Sequence, residues 1–522
     1  MENNNQRVLI FVTIATILIL VIIFAGVTYA FFTANNPEGS TAEIKSETGR
    51  MLITYNDGTD NIVPVTNIQP SNKILVNKTF TLTGSNTTVG MKSGDGLPMP
   101  YKVGVQYTST FSDGMMHYYI KEVNRPTNSQ VTANYAITPE TGNKNQTVPG
   151  NDTYTGYTHG TFKNGSKYTE MVTGDFPASL NDQTITFNLI IQFPDNNENQ
   201  DSEKGKTFNG KIVINQPTLS EYISKLDLTE NGLEKDKTKD DNIRYVGASP
   251  KNYLKFNDDE IWRIVGVFNN ITTIDEEQGK EKKESLVKIV RNDSLGDYSW
   301  DSSESSTNNG WGVNEWSQAD LMTELNTDYI NPNPASETTL WFNGSNNAKT
   351  GTYNYDKNIK SKSIDKIAKV RWNTSRATDE ASTLNSYNQE RSTTLIDTPS
   401  DNVPRNNIWE GKIALIYPSD YGYASTDKTC RNKINSSTNN VYNCKNENWL
   451  FNSSYQWTLS PLSGRANVVV DVYSGGYVSY SSAHNTLGVR PVLFLKSDVV
   501  IAGGTGESIE NAYTLEWYIA KR

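Results

Sequence analysis

The stretch from Trp457 to Ser497, "WTLSPLSGRANVVVDVYSGGYVSYSSAHNTLGVRPVLFLKS", sets the reading of the C-terminal half. Within it "ANVVVDVY" and "YVSYSS" are strand-like runs separated by "SGG", a turn-forming triplet, and together they predict a β-hairpin. Side chains alternate across a strand. Val468, Val470 and Val472 therefore form an apolar row that faces a core. The opposite face collects Asn467, Val469, Asp471 and Tyr473, and the return strand adds Tyr477 and Ser479, with His484 and Asn485 in the loop that follows. Tyr, Ser and Asn suit binding surfaces, because tyrosine supplies large contact area at small entropic cost. Asn467, Asp471, Tyr473, Tyr477, Ser479, His484 and Asn485 are thus the candidate ligand-binding residues.

Upstream, "NIRYVGASPKNYLKF", "EIWRIVGVFN" and "ESLVKIVRN" read as strands, the last two joined by the polar tip "TTIDEEQGKEKKE". Helices are expected in "NEWSQADLMTELN" and "SIDKIAKVRWN". This mixture places an α+β domain over residues 242–515, with 516–522 as a tail. Cys430 and Cys444, the only cysteines, bracket the polar run "CRNKINSSTNNVYNC" and are expected to form a disulfide. Residues 217–241 combine a short helix, "LSEYISKL", with the charged run "DLTENGLEKDKTKDD", which reads as an interdomain linker.

Between residues 40 and 216 short alternating runs such as "KTFTLTG", "YKVGVQYTS", "HYYIKEV" and "ITFNLIIQF" are divided by Gly, Asn and Pro turns. That pattern predicts a β-sandwich. Ahead of it, after a tail of residues 1–7, Val8–Phe32 carries no charge over 25 positions. As a helix it would reach roughly 37 Å, enough to cross a bilayer core of about 30 Å. It is expected to act either as a retained transmembrane helix or as a cleaved signal segment, with the large polar remainder outside the membrane.

Composition narrows the function. A net charge of −10 without a basic cluster argues against nucleic acid as a partner. Two cysteines and three histidines, His117, His159 and His484, are too few for the usual zinc sites, and no HExxH motif occurs, so no metal or cofactor is expected. His117 and His159 lie far apart in sequence and read as sheet-surface residues.

Two resemblances add to this. The export segment, ending in "GVTYAFFTANN", and the order of features through Gln216 resemble the TasA/camelysin family of Gram-positive surface and matrix proteins, a likeness that implies signal cleavage after Ala30. That likeness implies a jelly-roll-like sandwich. The markers "WRIVG", W-x-L-S-P and "GVRPV" resemble an extracellular bacterial domain without an assigned activity. That domain is similar in outline to the C-type-lectin-like fold, which formylglycine-generating enzymes share. Its matching residues here are Trp262, Arg263, Trp457, Pro461, Gly488, Arg490 and Pro491, and the likeness implies structural roles for them. A buried Arg490 would need carboxylate or carbonyl partners. In diversified receptors of this fold class the region of the last hairpin is the ligand face. The cysteine pair of formylglycine-generating enzymes has no match, because Cys430 and Cys444 precede the "WTLSP" run.

The expected function is a non-enzymatic bacterial cell-surface binding or adhesion protein, its lectin-like head displayed on a membrane-anchored sandwich. Its partners would be the membrane and a surface, glycan or protein ligand. Without the anchor it would be secreted or wall-associated. The alternatives are a structural subunit of a TasA-like fibre and an extracellular hydrolase.

Overall fold

A computed structural model describes residues 41–45, 52–56, 65–66, 70, 74–85, 99–124, 146–147, 153–154, 157–176, 182–302, 310–332, 354–378, 382–392, 405–434 and 444–517. The apolar segment 8–32 and the cleavage position at Ala30 lie outside the described residues. Among the described residues no helix is long and apolar enough to cross a membrane. The chain is mostly β-sheet and divides into two compact units, Met1–Gln216 with Tyr518–Arg522, and Pro217–Trp517.

The first unit is built from two antiparallel sheets. One runs, edge to edge, Thr41–Lys45, Leu52–Asn56, Val76–Ser85, Gln183–Gln192, His117–Asn124 and Thr158–Thr161. The other runs Gly165–Phe176, Met99–Ser109, Thr207–Asn215 and Val65–Thr66. Alternation explains how they pack. Phe80 and Leu82 on one strand, and Ile185, Phe187 and Leu189 on its neighbour, all point to one core. Tyr101, Val103, Val105 and Tyr107 of the second sheet fill it from the other side, so the unit is a β-sandwich. Phe80 and Phe187 face each other in register and stack at 5.2 Å, while Tyr101 meets Phe187 edge-on at 6.0 Å. The acidic run 194–206 passes from one sheet to the other and buries Glu203.

The second unit has a nine-stranded sheet centred on the long hairpin of Ile261–Ile274 and Glu281–Arg291. The strand Val492–Phe494 pairs with Glu281–Arg291. A five-stranded sheet runs Asp297–Ser299, Thr486–Gly488, Gln456–Pro461, Val468–Val472 and Val478–Ser482. Two marker glycines permit close approach. A Cβ on Gly266 would lie 2.2 Å from the Ile243 carbonyl, and one on Gly488 would lie 2.7 Å from the Tyr455 carbonyl.

Three expectations need correction here. Residues 217–241 are not a free linker. Thr218 caps the helix Leu219–Lys225 through a capping box, Leu219, Tyr222 and Ile223 are buried, and Leu233–Lys235 pairs with Ile243–Tyr245. The charges that suggested solvent include Asp236, which is buried against Arg244 at 2.7 Å. Second, only the first two residues of "SIDKIAKVRWN" are helical, at the end of the helix Ser361–Ile364; Val370–Asn373 is a strand, because buried Val370 and Trp372 alternate with half-buried Arg371 and Asn373. Third, the tail begins later than residue 516, since Thr514–Trp517 pairs with Val499–Gly503. "NEWSQADLMTELN" is helical but broken into successive turns around Ala319, whose backbone is extended.

Candidate functional site

The last hairpin turns through Ser474, Gly475 and Gly476. The Tyr473 amide donates to the Tyr477 carbonyl at 2.8 Å, and Gly476 takes a positive φ of 97°. A side chain at Gly476 would collide with Lys445. The register sets Asp471 opposite Ser479 and Val469 opposite Ser481, and the preceding strand sets Trp457 opposite Asp471. Directly paired residues share a face. Asp471, Tyr473, Tyr477 and Ser479 are therefore brought together at the turn end.

One residue joins them that the hairpin pattern alone does not reveal. Tyr455, two residues before Trp457, packs edge-on against Tyr473 at 4.9 Å, and Tyr473 lies 4.8 Å from Tyr477. Tyr455 is 41% exposed, whereas Tyr473 and Tyr477 are half-buried. Its position two residues from a buried strand tryptophan was the available signal. Burial, the Tyr473 hydroxyl and the Asp471 carboxylate all push the Tyr455 phenol upward, as expected of groups within short electrostatic range.

Asn467, His484 and Asn485 form a separate patch. Asn467 pairs with the loop at Ala483, six residues along the strand from Tyr473, or roughly 20 Å. His484 meets Trp311 edge-on at 4.9 Å, and Trp311 is 50% exposed. Trp311 stands between two glycines in "GWG", a placement that marks a presented ring.

The face is less open than alternation implies. Asp471 is fully buried, neither carboxylate oxygen has a donor in hydrogen-bonding geometry, and burial pushes it up to about 7 against the opposing pull of the Ser481 hydroxyl. Trp457 closes over it from the neighbouring strand while donating its indole N–H to the Tyr298 carbonyl at 2.8 Å. On the opposite face Val470 and Val478 line a small cleft with Ala377, Pro418, Ile434 and Tyr480. It holds about 10 Å³, space for roughly one water.

The marker residues are interior. Trp262 and Trp457 are fully buried, and Arg263, Pro461, Gly488, Arg490 and Pro491 are buried. Arg490 is satisfied by oxygens of carbonyl type: the Arg291 carbonyl at 2.9 Å, the Leu450 carbonyl at 3.0 Å and Gln456 Oε1 at 3.1 Å. Burial, then Arg263, lowers its guanidinium to about 9. Arg263 donates to Asn252 and lies 3.8 Å from the Tyr253 ring centre.

A second polar cluster lies deep in this unit. Arg244 bridges Asp236 and Asp420 at 2.7 and 2.8 Å, and Lys288 reaches the other Asp420 oxygen at 2.7 Å. Burial pushes Asp420 up, but Lys288 and Arg244 together outweigh it and hold the carboxyl below its ordinary range. Nearby, burial raises Glu390 to about 7 even though Ser419 donates to both its oxygens. The four ion-paired side chains come from a loop, two strands and the helix Pro418–Ala424, so they clamp the fold and present nothing to solvent.

Cys430 and Cys444 form the disulfide, both buried, with residues 435–443 outside the described set. Compared with family models, curated proteins and solved structures, the chain matches none of them.

Proposed function

We propose that this chain is a non-enzymatic bacterial surface protein that binds a glycan or protein through the last hairpin of its C-terminal unit. In this reading the unit is a lectin-like head and the sandwich displays it. Val8–Phe32 either anchors the protein in the membrane or is removed at Ala30. The observation that carries the reading is the packing of Tyr455, Tyr473 and Tyr477 on one face above the buried Asp471. Such a group offers rigid aromatic area with hydroxyls at its rim, the composition that contact surfaces favour.

The test is a glycan and host-protein array probed with the full chain and with a Tyr455→Ala/Tyr473→Ala/Tyr477→Ala variant. Binding that falls at least tenfold in a variant with an unchanged near-UV circular dichroism spectrum supports the site. A ligand held equally well by the variant moves the site away from the hairpin.

A further inference from the structure

The chain has only three histidines, and two of them meet. His117 begins the strand His117–Asn124, and His159 lies on the edge strand Thr158–Thr161. Antiparallel pairing sets Tyr119 opposite His159 and Thr161 opposite His117. The two imidazoles thus stand diagonally on one sheet face, where long side chains from neighbouring strands reach each other. Their nitrogens, His159 Nε2 and His117 Nδ1, are 2.9 Å apart. Tyr119 stacks on the His159 ring at 4.7 Å and fixes its plane. The His117 ring also donates to the Gly114 carbonyl. With Nδ1 turned toward His159, Nε2 is the nitrogen left for that bond, and this tautomer keeps the Nδ1 lone pair aimed at its neighbour.

Two neutral imidazoles facing each other can share one proton or one metal ion. Two zinc–nitrogen bonds of about 2.0–2.1 Å at a tetrahedral angle span about 3.3 Å, so the pair must open by only some 0.4 Å. Holding the far nitrogen of a ligand histidine on a backbone carbonyl is the usual way a ligand ring is oriented. We propose that His117 and His159 form a surface site for a divalent transition-metal ion of imidazole preference: copper, nickel or zinc. The ion takes the place of the shared proton, which moves to the outer nitrogen of His159.

Among the described residues no third His, Cys, Asp or Glu completes a cluster of three. Gln192 lies opposite His117 in the next strand and supplies a candidate oxygen donor on the same face, with water filling the remaining positions. A shell of two protein nitrogens exchanges its metal readily. The site belongs to the sandwich and is independent of the hairpin reading above.

Copper(II) is the probe, since it binds nitrogen sites most tightly of these ions and reports its ligands. Isothermal titration and electron paramagnetic resonance on the full chain should give one copper per chain with coupling to two imidazole nitrogens. His159→Asn and His117→Asn should each weaken binding at least tenfold, and His484→Asn should leave it unchanged. Zinc should displace copper only in excess. Should His117→Asn unfold the sandwich, shown by loss of near-UV signal, His159→Asn on the edge strand decides alone. Equal copper binding by wild type and His159→Asn, or none by wild type, overturns the site.

Discussion

The two units bury their interiors in different currencies. In the sandwich, rings meet rings: Tyr107 packs against Phe162 and Phe208, at 4.7 and 5.5 Å, and Phe111 against Phe193 at 5.0 Å. In the C-terminal unit the rings are accompanied by ions. Arg244, Lys288, Glu390, Asp420 and Arg490 are all at most 3% exposed. An apolar core tolerates a substitution in proportion to the volume lost. A buried ion cluster does not, because removing one charge leaves its partners uncompensated in a medium that cannot solvate them. The units should therefore fail differently, and four experiments follow from that contrast.

The largest effect is expected at Asp420. It answers both Arg244 and Lys288, so Asp420→Ala leaves buried Lys288 without its carboxylate and Arg244 with Asp236 alone, and should cost about 3–5 kcal/mol. That is a large part of an ordinary domain's stability. Denaturant unfolding should show the C-terminal transition moving alone. If both transitions shift together, or neither does, the cluster is not the clamp described here.

Leu82→Ala is the matching change in the sandwich. Leu82 is fully buried in the aromatic core, and its truncation should cost about 2–5 kcal/mol. Unlike a change in the ion cluster, this cost should be the same at pH 5 and pH 8. A pH-dependent cost would mean that packing at Leu82 is coupled to a titrating group.

The same contrast explains what could be read from the sequence. Phe80, Leu82, Phe187 and Leu189 announce the sandwich because a period of two is a local pattern. The hairpin at Val468–Val472 is legible for the same reason, and its facing residues follow from the register. Burial of Asp471 is not local: it depends on Trp457 and Tyr455 arriving from another strand. Asp236 reads as linker charge because the Arg244 that pairs with it is held in the interior by Asp420, 176 residues beyond that arginine. His117 and His159 look isolated at a separation of 42 residues until strand pairing brings them together. Long-range polar partners leave no periodic trace.

The disulfide offers an intermediate effect in the C-terminal unit. Reducing Cys430–Cys444 frees a loop of 15 residues in the unfolded chain and should cost about 3 kcal/mol. Non-reducing peptide mapping should find the two cysteines linked, and the urea midpoint of this unit should fall on reduction while that of the sandwich stays in place. An unchanged midpoint would show that the buried sulphurs hold the segment by packing alone.

The smallest effect is a difference of sign between two buried carboxylates, one in each unit. Burial pushes Glu203 of the sandwich up, but the Ser112 amide at 2.9 Å, the Ser112 hydroxyl at 2.7 Å and Lys206 at 3.0 Å overcome it and bring the acid down to about 2. Its ordinary value is 4.5, so it contributes stability above that pH and loses the contribution as pH falls toward 2. Asp471 runs the other way. With an ordinary value of 3.8 and a folded value of about 7, it costs nothing below 3.8, costs more as pH rises, and reaches its full cost above about 7. Glu203→Gln should therefore lower the melting temperature of the sandwich at pH 7 and leave it nearly unchanged at the acid end. Asp471→Asn should raise the melting temperature of the C-terminal unit at pH 8, with the gain vanishing toward pH 4. An unsatisfied buried group is worth about 1–3 kcal/mol, which for domains of this size is a shift of only a few degrees. Melting curves at pH 2, 4, 6 and 8 for both variants measure the two slopes side by side. If Asp471→Asn destabilises at pH 8, the carboxylate is paired in solution, and the hairpin face is built around a charge that the fold already satisfies.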